Sequence, residues 1–163
     1  MKENEKIVVT GLGVVSCLGD SVDDFWSSLK NGKSGINEIS LVSPDGFPCK
    51  VSGEVKDFDP TNYIDKKESK RMGRFSHLAL AAAKNAIDDA NLNISNENSD
   101  RIGVLIGSGS GGLPETDQQA EVKVKRGASR MSPFYIPMML VNMASANISR
   151  TFGITGYTNT CIT

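Results

Sequence analysis

The sequence predicts an α/β fold, and three observations carry that expectation. Two runs rich in Val and Ile, Lys6 to Val15 and Arg101 to Ile106, are broken or ended by glycines, a pattern of strands buried on both faces. Between them, Phe75, Leu78, Ala79, Ala82, Ala83, Ala86, Ile87 and Ala90 recur at i, i+3, i+4 spacing, which puts them on one stripe of a helix. A last segment, from about Pro137 to Phe152, is apolar nearly all round a helix. At 163 residues the chain amounts to about one domain.

Each element has its own signals. The first run is interrupted by Gly11 and Gly13 and reads as a buried strand that turns at its end. Ser21 to Leu29 reads as a short helix, with Ser21 as N-cap, Asp23 and Asp24 at its positive end, and Asn31-Gly32 as the stop. Residues 33–64 alternate turn signals with the strand-like Lys50-Val-Ser-Gly-Glu-Val55. The Ala-rich helix ends near Asn91, and its small side chains let a sheet or another helix come close. The second strand runs into Gly107-Ser-Gly-Ser-Gly-Gly112, followed by a helix from about Glu115 to Lys125 and a polar loop to Arg130. In the last helix Ile136, Met139, Leu140, Met143, Ala144, Ile148 and Phe152 share a face, while Met138, Val141 and Ala146 make the other sides apolar. Little in the chain is left to cover such a helix, so a second half or a partner subunit is expected.

Composition narrows the function classes. A net charge of −1 with mixed signs gives no global field for nucleic acid or an anionic membrane. No apolar run reaches the ~18 residues needed to span a bilayer, and Met1 to Lys6 is too polar for a signal peptide. Cys17, Cys49 and Cys161 are odd in number and widely spaced, which fits reduced cytoplasmic thiols better than a disulfide frame or a zinc site. His77 is the only histidine, so no site in this chain uses two. No metal or cofactor is expected.

Two glycine clusters follow strand patterns, Gly11-Leu-Gly13 and Gly107-Ser-Gly109-Ser-Gly-Gly112, and the second formally fits GxGxxG. A dinucleotide fold needs a helix opening at the third glycine and an acidic residue about 20 positions on. After Gly13 the helix begins only near Ser21, and residues 126–136 contain no Asp or Glu. Tight turns and close backbone packing explain the glycines better, and a nucleotide-binding oxidoreductase stays open as the weaker alternative.

Five ordered blocks resemble the elongating ketosynthases of the thiolase-like superfamily. They are Val8-Val-Thr-Gly-Leu-Gly-Val-Val-Ser16; Trp26 with Gly32-Lys-Ser-Gly-Ile36; Lys67-Glu-Ser-Lys-Arg-Met72; Arg101-Ile-Gly-Val-Leu-Ile-Gly-Ser-Gly-Ser-Gly-Gly-Leu113; and Ser132-Pro-Phe-Tyr-Ile-Pro137 with Val141-Asn-Met143. Gly156-Tyr-Thr-Asn-Thr-Cys-Ile-Thr163 resembles the strand leading to the nucleophile in Thr-Ala-Cys, with Thr163 on the Thr. The resemblance implies a thiolase-like mixed sheet with packed helices, present as an N-terminal portion and incomplete without the C-terminal half. It also implies a fatty-acid activity, the decarboxylating Claisen condensation of an acyl thioester with malonyl-carrier protein. The family's cysteine would stand two positions past Thr163 and its two histidines beyond that, so this chain alone is expected to be inactive.

The same resemblance assigns sites. Lys67, Lys70 and Arg71 match positions that dock the acidic acyl carrier protein; read without it, Asp65 to Arg71 is a solvated charge run. Within Gly109-Ser110-Gly111, Ser110 stands where the family commonly carries a larger apolar gate of the acyl tunnel, which implies a longer or more polar pocket. Phe134, Tyr135 and Ile136 match residues that reach the neighbouring subunit's pocket, and the strand ending at Thr163 pairs across a two-fold axis in relatives, so a homodimer is expected. Cys161 is expected to be an inert thiol in a buried strand, and His77 a surface or partly buried structural residue. A non-catalytic partner subunit similar to polyketide chain-length factors remains the other alternative.

Overall fold

A run of β-branched residues becomes a strand only where another strand completes its backbone hydrogen bonds, and the two Val/Ile-rich runs differ on this point. The computed structural model describes residues 6–95 and 98–162. It forms two units, one of residues up to Phe58 with Ala82–Asn93, the other of Asp59–Ala81 with the residues from Ile94 on.

In the first unit, α1 spans Val22–Lys30. The Ser21 hydroxyl accepts the Asp24 amide at 3.1 Å, and Gly32 closes the helix with a positive φ of 64°. Its amide donates to the Leu29 carbonyl and that of Lys33 to the Ser28 carbonyl, both at 3.0 Å, which satisfies two end carbonyls. Strands β1 (Ile36–Glu38) and β2 (Val51–Gly53) pair antiparallel, with Ile36 opposite Gly53. Glu54 then anchors the intervening loop by accepting the Ser40 amide, the Ser40 hydroxyl and the Leu41 amide. Those bonds, the Leu41 amide foremost, hold its carboxyl below the usual range.

The run from Lys6 to Val15 corrects the expectation of a buried strand. It pairs with no strand among the described residues, and Ile7, Val8 and Val9 are exposed. It lies instead on α3 (Arg74–Asp89), where Ala82, Ala86 and, just past the helix end, Ala90 admit Gly11 and Gly13 to backbone distance. The Leu12 amide donates to the Asp89 carboxylate at 2.8 Å. The predicted close approach across the alanines is therefore present, with an unladdered segment as the partner.

Among the described residues the buried apolar side chains all lie in the second unit: Ile64, Met72, Leu80, Ala81, Val104, Ala144, Ile148 and Ile154. Within α3 the deepest positions are Ser76, Leu80 and Ala81 rather than the predicted alanine stripe, which is half-buried. Strands β3 (Val104–Gly107) and β4 (Thr158–Cys161) pair in parallel, with Val104 opposite Thr158 and Gly107 opposite Cys161. Strand β3 starts three residues later than predicted. Ser99–Arg101 forms a 3₁₀ turn instead, and the Ser99 carbonyl accepts the Thr155 and Gly156 amides at 2.9 and 3.0 Å. Helix α4 covers Leu113–Arg126, as expected.

The long last helix is two helices, α5 (Tyr135–Met139) and α6 (Met143–Phe152). Leu140 is extended, with ψ 126°. The Met139 carbonyl accepts the Gly112 amide at 3.1 Å, so a tertiary bond satisfies it where a continuous helix would use the amide four residues on. Helix α6 is covered on several sides from within the chain, with Ala144, Ser145, Asn147 and Ile148 all buried, which for this stretch corrects the expectation that little is left to cover it.

Candidate functional site

The charge run folds as a single short helix, α2 (Lys66–Ser69), capped by Asp65, whose carboxylate accepts the Lys67 and Glu68 amides at 2.8 and 3.2 Å. Lys66, Lys67 and Lys70 are exposed. Arg71 differs from them: it is half-buried, donates to Glu68 Oε1 at 3.0 Å, and its guanidinium stands 4.8 Å from the centre of the Phe134 ring. That stacking is favourable through the ring quadrupole. The structure thus joins one expected docking residue to one expected pocket and dimer residue, while Lys67 and Lys70 are left to solvent.

Arg150 completes the group, and sequence reasoning missed it. It lies in the last turn of α6 with its Nη2 3.0 Å from Glu68 Oε2. The N–H groups do not aim at that oxygen, which has no hydrogen bond of its own, so the pair is an ion contact. A lone basic residue near a helix C-terminus reads as a complement to the helix dipole, and nothing local in the sequence ties it to Glu68.

Gly109 and Ser110 are exposed in the loop after β3. Gly111 has φ 70°, and a Cβ there would stand 2.6 Å from the Met139 carbonyl oxygen. Although α4 opens right after Gly112, the Gly112 amide is spent on Met139 and the loop is pressed against Met138–Val141. A phosphate would find that amide occupied, and no second strand follows α4 directly, so the dinucleotide reading falls. Phe134 is 37% and Ile136 54% exposed; Tyr135 is half-buried.

Cys161 is exposed, which corrects the expectation of burial. Along β4, Thr158 and Thr160 are half-buried while Asn159 and Cys161 face outward, the two-residue alternation of a strand with one covered face. Thr160 meets Ser145 of α6, hydroxyl to hydroxyl, at 2.8 Å. Thr163 lies outside the described residues. His77 is the partly buried structural residue expected: Nε2 donates to the Ser69 carbonyl at 2.8 Å in the neutral form. Burial chiefly, and the Arg74 charge further, press its pKa below the usual value, against the Ser69 carbonyl and Glu115. Glu115, also unforeseen, accepts the Arg74 amide at 2.7 Å at the start of α3, where a carboxylate favours the helix dipole.

Among the described residues no group of His, Cys, Asp and Glu could hold a metal ion, and no helix is long and apolar enough to cross a membrane.

The chain is 45% identical over 161 residues to the 3-oxoacyl-[acyl-carrier-protein] synthase 2 of Synechocystis sp., covering 99% of this chain but 39% of that protein. Among solved structures it resembles the ishigamide ketosynthase/chain length factor, with a TM-score of 0.85 and 28% identity over 96% of this chain and 39% of that one. A type II PKS acyl-carrier protein in complex with its ketosynthase shares the fold at a TM-score of 0.72 and 18% identity, over 94% of this chain and 40% of that one. The fold is that of the thiolase-like ketosynthases. The profile of the β-ketoacyl synthase N-terminal domain matches residues 4–163, and the chain belongs to that family.

Proposed function

We propose that the chain is the N-terminal portion of a 3-oxoacyl-(acyl-carrier-protein) synthase of fatty acid biosynthesis, a homodimeric cytoplasmic enzyme. The observation that carries this is the 45% identity to a synthase of that name across 99% of the chain. In the reaction a cysteine thiolate attacks the acyl thioester and the carrier thiol leaves. Malonyl-carrier protein then loses CO₂, and the enolate carbon attacks the enzyme-bound acyl group, releasing the thiolate. Such a thiolate needs a helix N-terminus, whose amides also receive the oxyanion; the reading puts that cysteine two positions past Thr163.

The residues in hand serve binding and assembly in this reading. Lys67 and Lys70 present charge to an acidic carrier, and Arg71 is held against Phe134 at the joint of docking face and acyl pocket. Exposed Ser110 replaces a bulky gate.

The decisive experiment supplies the full-length protein with acyl- and malonyl-carrier protein. Formation of 3-oxoacyl-carrier protein, with an acyl-enzyme seen by mass spectrometry, is expected; absence of both would overturn the reading. Reversing Lys67 and Lys70 to Glu should weaken carrier binding about tenfold at low salt and much less at high salt. Unchanged affinity would leave only a solvated face. The likeness to a ketosynthase/chain length factor structure favours a second reading, a non-catalytic partner subunit; a residue other than Cys two positions past Thr163 would establish it.

A further inference from the structure

We propose that Arg150 is a further carrier-docking residue, and that Glu68 positions it and Arg71 as one anion-binding face. The inference rests on the carrier-docking reading of α2 and adds to it a residue from a different element.

Three observations carry it. First, one carboxylate holds two guanidiniums, Arg71 at 3.0 Å on Oε1 and Arg150 at 3.0 Å on Oε2. Second, Arg150 is not consumed by that contact: its side chain is 60% exposed and the ion pair lacks an aligned hydrogen bond. A guanidinium has five N–H groups, so most of them remain for a ligand. Third, a cleft of about 300 Å³ opens beside the bridge, lined by both arginines, Glu68, Phe134 and buried Asn147, so that two guanidiniums face one carboxylate across it. A planar, bidentate donor pair over an aromatic wall suits a carboxylate, and the occupant is an acidic side chain of the carrier protein.

The local charge agrees. Lys66, Lys67, Lys70, Arg71 and Arg150 stand against Asp65 and Glu68, and the Asp65 carboxylate is turned to the amides that start α2. The surplus is positive in a chain whose net charge is −1, and such a concentration favours encounter with an acidic partner.

The test uses the full-length protein and holo acyl carrier protein, with affinity measured by fluorescence anisotropy across a salt series. Arg150→Ala should weaken binding about fivefold at low salt and flatten the salt dependence. Arg150→Gln, which keeps the stem, should do the same and guards against a folding effect. Glu68→Gln separates positioning from simple charge counting. Removing a negative charge from a basic face would tighten binding if charge alone mattered, whereas loss of the bridge should weaken it about two- to threefold, with Glu68→Asp restoring part of the loss. Unchanged affinity in both Arg150 variants overturns the inference, as does tighter binding by Glu68→Gln. Where Lys67→Glu with Lys70→Glu still weakens binding, only the part played by Arg150 and Glu68 fails. Where that variant is silent too, the docking reading of α2 fails with it.

Discussion

Gly13→Ala should be among the most damaging single-methyl additions to this chain. A Cβ at Gly13 would stand 2.0 Å from the Ala82 carbonyl oxygen and 2.6 Å from the Ala86 amide nitrogen. Both atoms belong to the backbone of α3, so no rotamer change makes room. Favourable contact between heavy atoms begins near 3.5 Å, so the segment must retreat from α3 by more than about 1 Å. Overpacking of this kind costs about 1–3 kcal/mol. The retreat also strains the bond from the Leu12 amide to the Asp89 carboxylate at 2.8 Å, a charged contact worth about 1.5–3 kcal/mol. The expected loss is about 3–5 kcal/mol. Gly107→Ala is the control: a Cβ there meets nothing within 4 Å, and surface changes of that type stay within about 0.5 kcal/mol. Urea unfolding of the full-length protein gives the comparison, and hydrogen exchange of the peptide spanning residues 82–90 localises it. If Gly13→Ala came within about 1 kcal/mol of Gly107→Ala with exchange unchanged, the backbone contact would not be what that glycine serves.

Other substitutions probe other levels. Leu80, at 0% exposure, should cost about 2–5 kcal/mol on truncation to Ala, and a value below 1 kcal/mol in the same unfolding assay would contradict its place in the core. His77 has a folded pKa below its unfolded value of about 6.5. Between those two values the unfolded chain holds the extra proton, so stability is full above about pH 6.5 and declines as pH falls through the window beneath it. His77→Gln should flatten that acid limb; an unaltered limb would place the titration elsewhere. Cys161→Ser should leave turnover of the full-length protein intact while removing one site of alkylation, because the thiol is exposed and outside the proposed chemistry. Loss of turnover would make that thiol the nucleophile after all.

Local signals carried as far as local physics does. Ser21, Asp23, Asp24 and Asn31-Gly32 bound α1 within one residue of expectation, since capping bonds join groups a few positions apart. Helix α4 and the extent of α3 followed from side-chain periodicity, which is also a local signal. What failed depended on partners distant in the chain. Lys6 to Val15 has strand composition but no ladder among the described residues. Met139 breaks the last helix because Gly112, far upstream, claims its carbonyl. Cys161 lies in a strand as expected, but on the uncovered face, and only the pairing of β4 with β3 and its seat on α6 decide which face is covered.

The site repeats that division in electrostatic form. A sequence counts charges, and in that count Glu68 only dilutes a basic run. In the folded chain it does the opposite, gathering Arg71 from its own segment and Arg150 from α6 into one place. Lys67 and Lys70 stay exposed because helical spacing brings no carboxylate within their reach, whereas Arg71 stands three residues after Glu68 and is claimed by it. Arg71 is therefore held in place where Lys67 and Lys70 are not, a fixed joint between α2 and Phe134. If docking and pocket geometry are coupled in this family member, the Glu68–Arg71–Phe134 contact is the physical path. Glu68→Gln should then change how carrier binding responds to acyl chain length, whereas Lys67→Ala should change affinity equally for all chain lengths. Equal responses from the two variants would reduce the contact to packing.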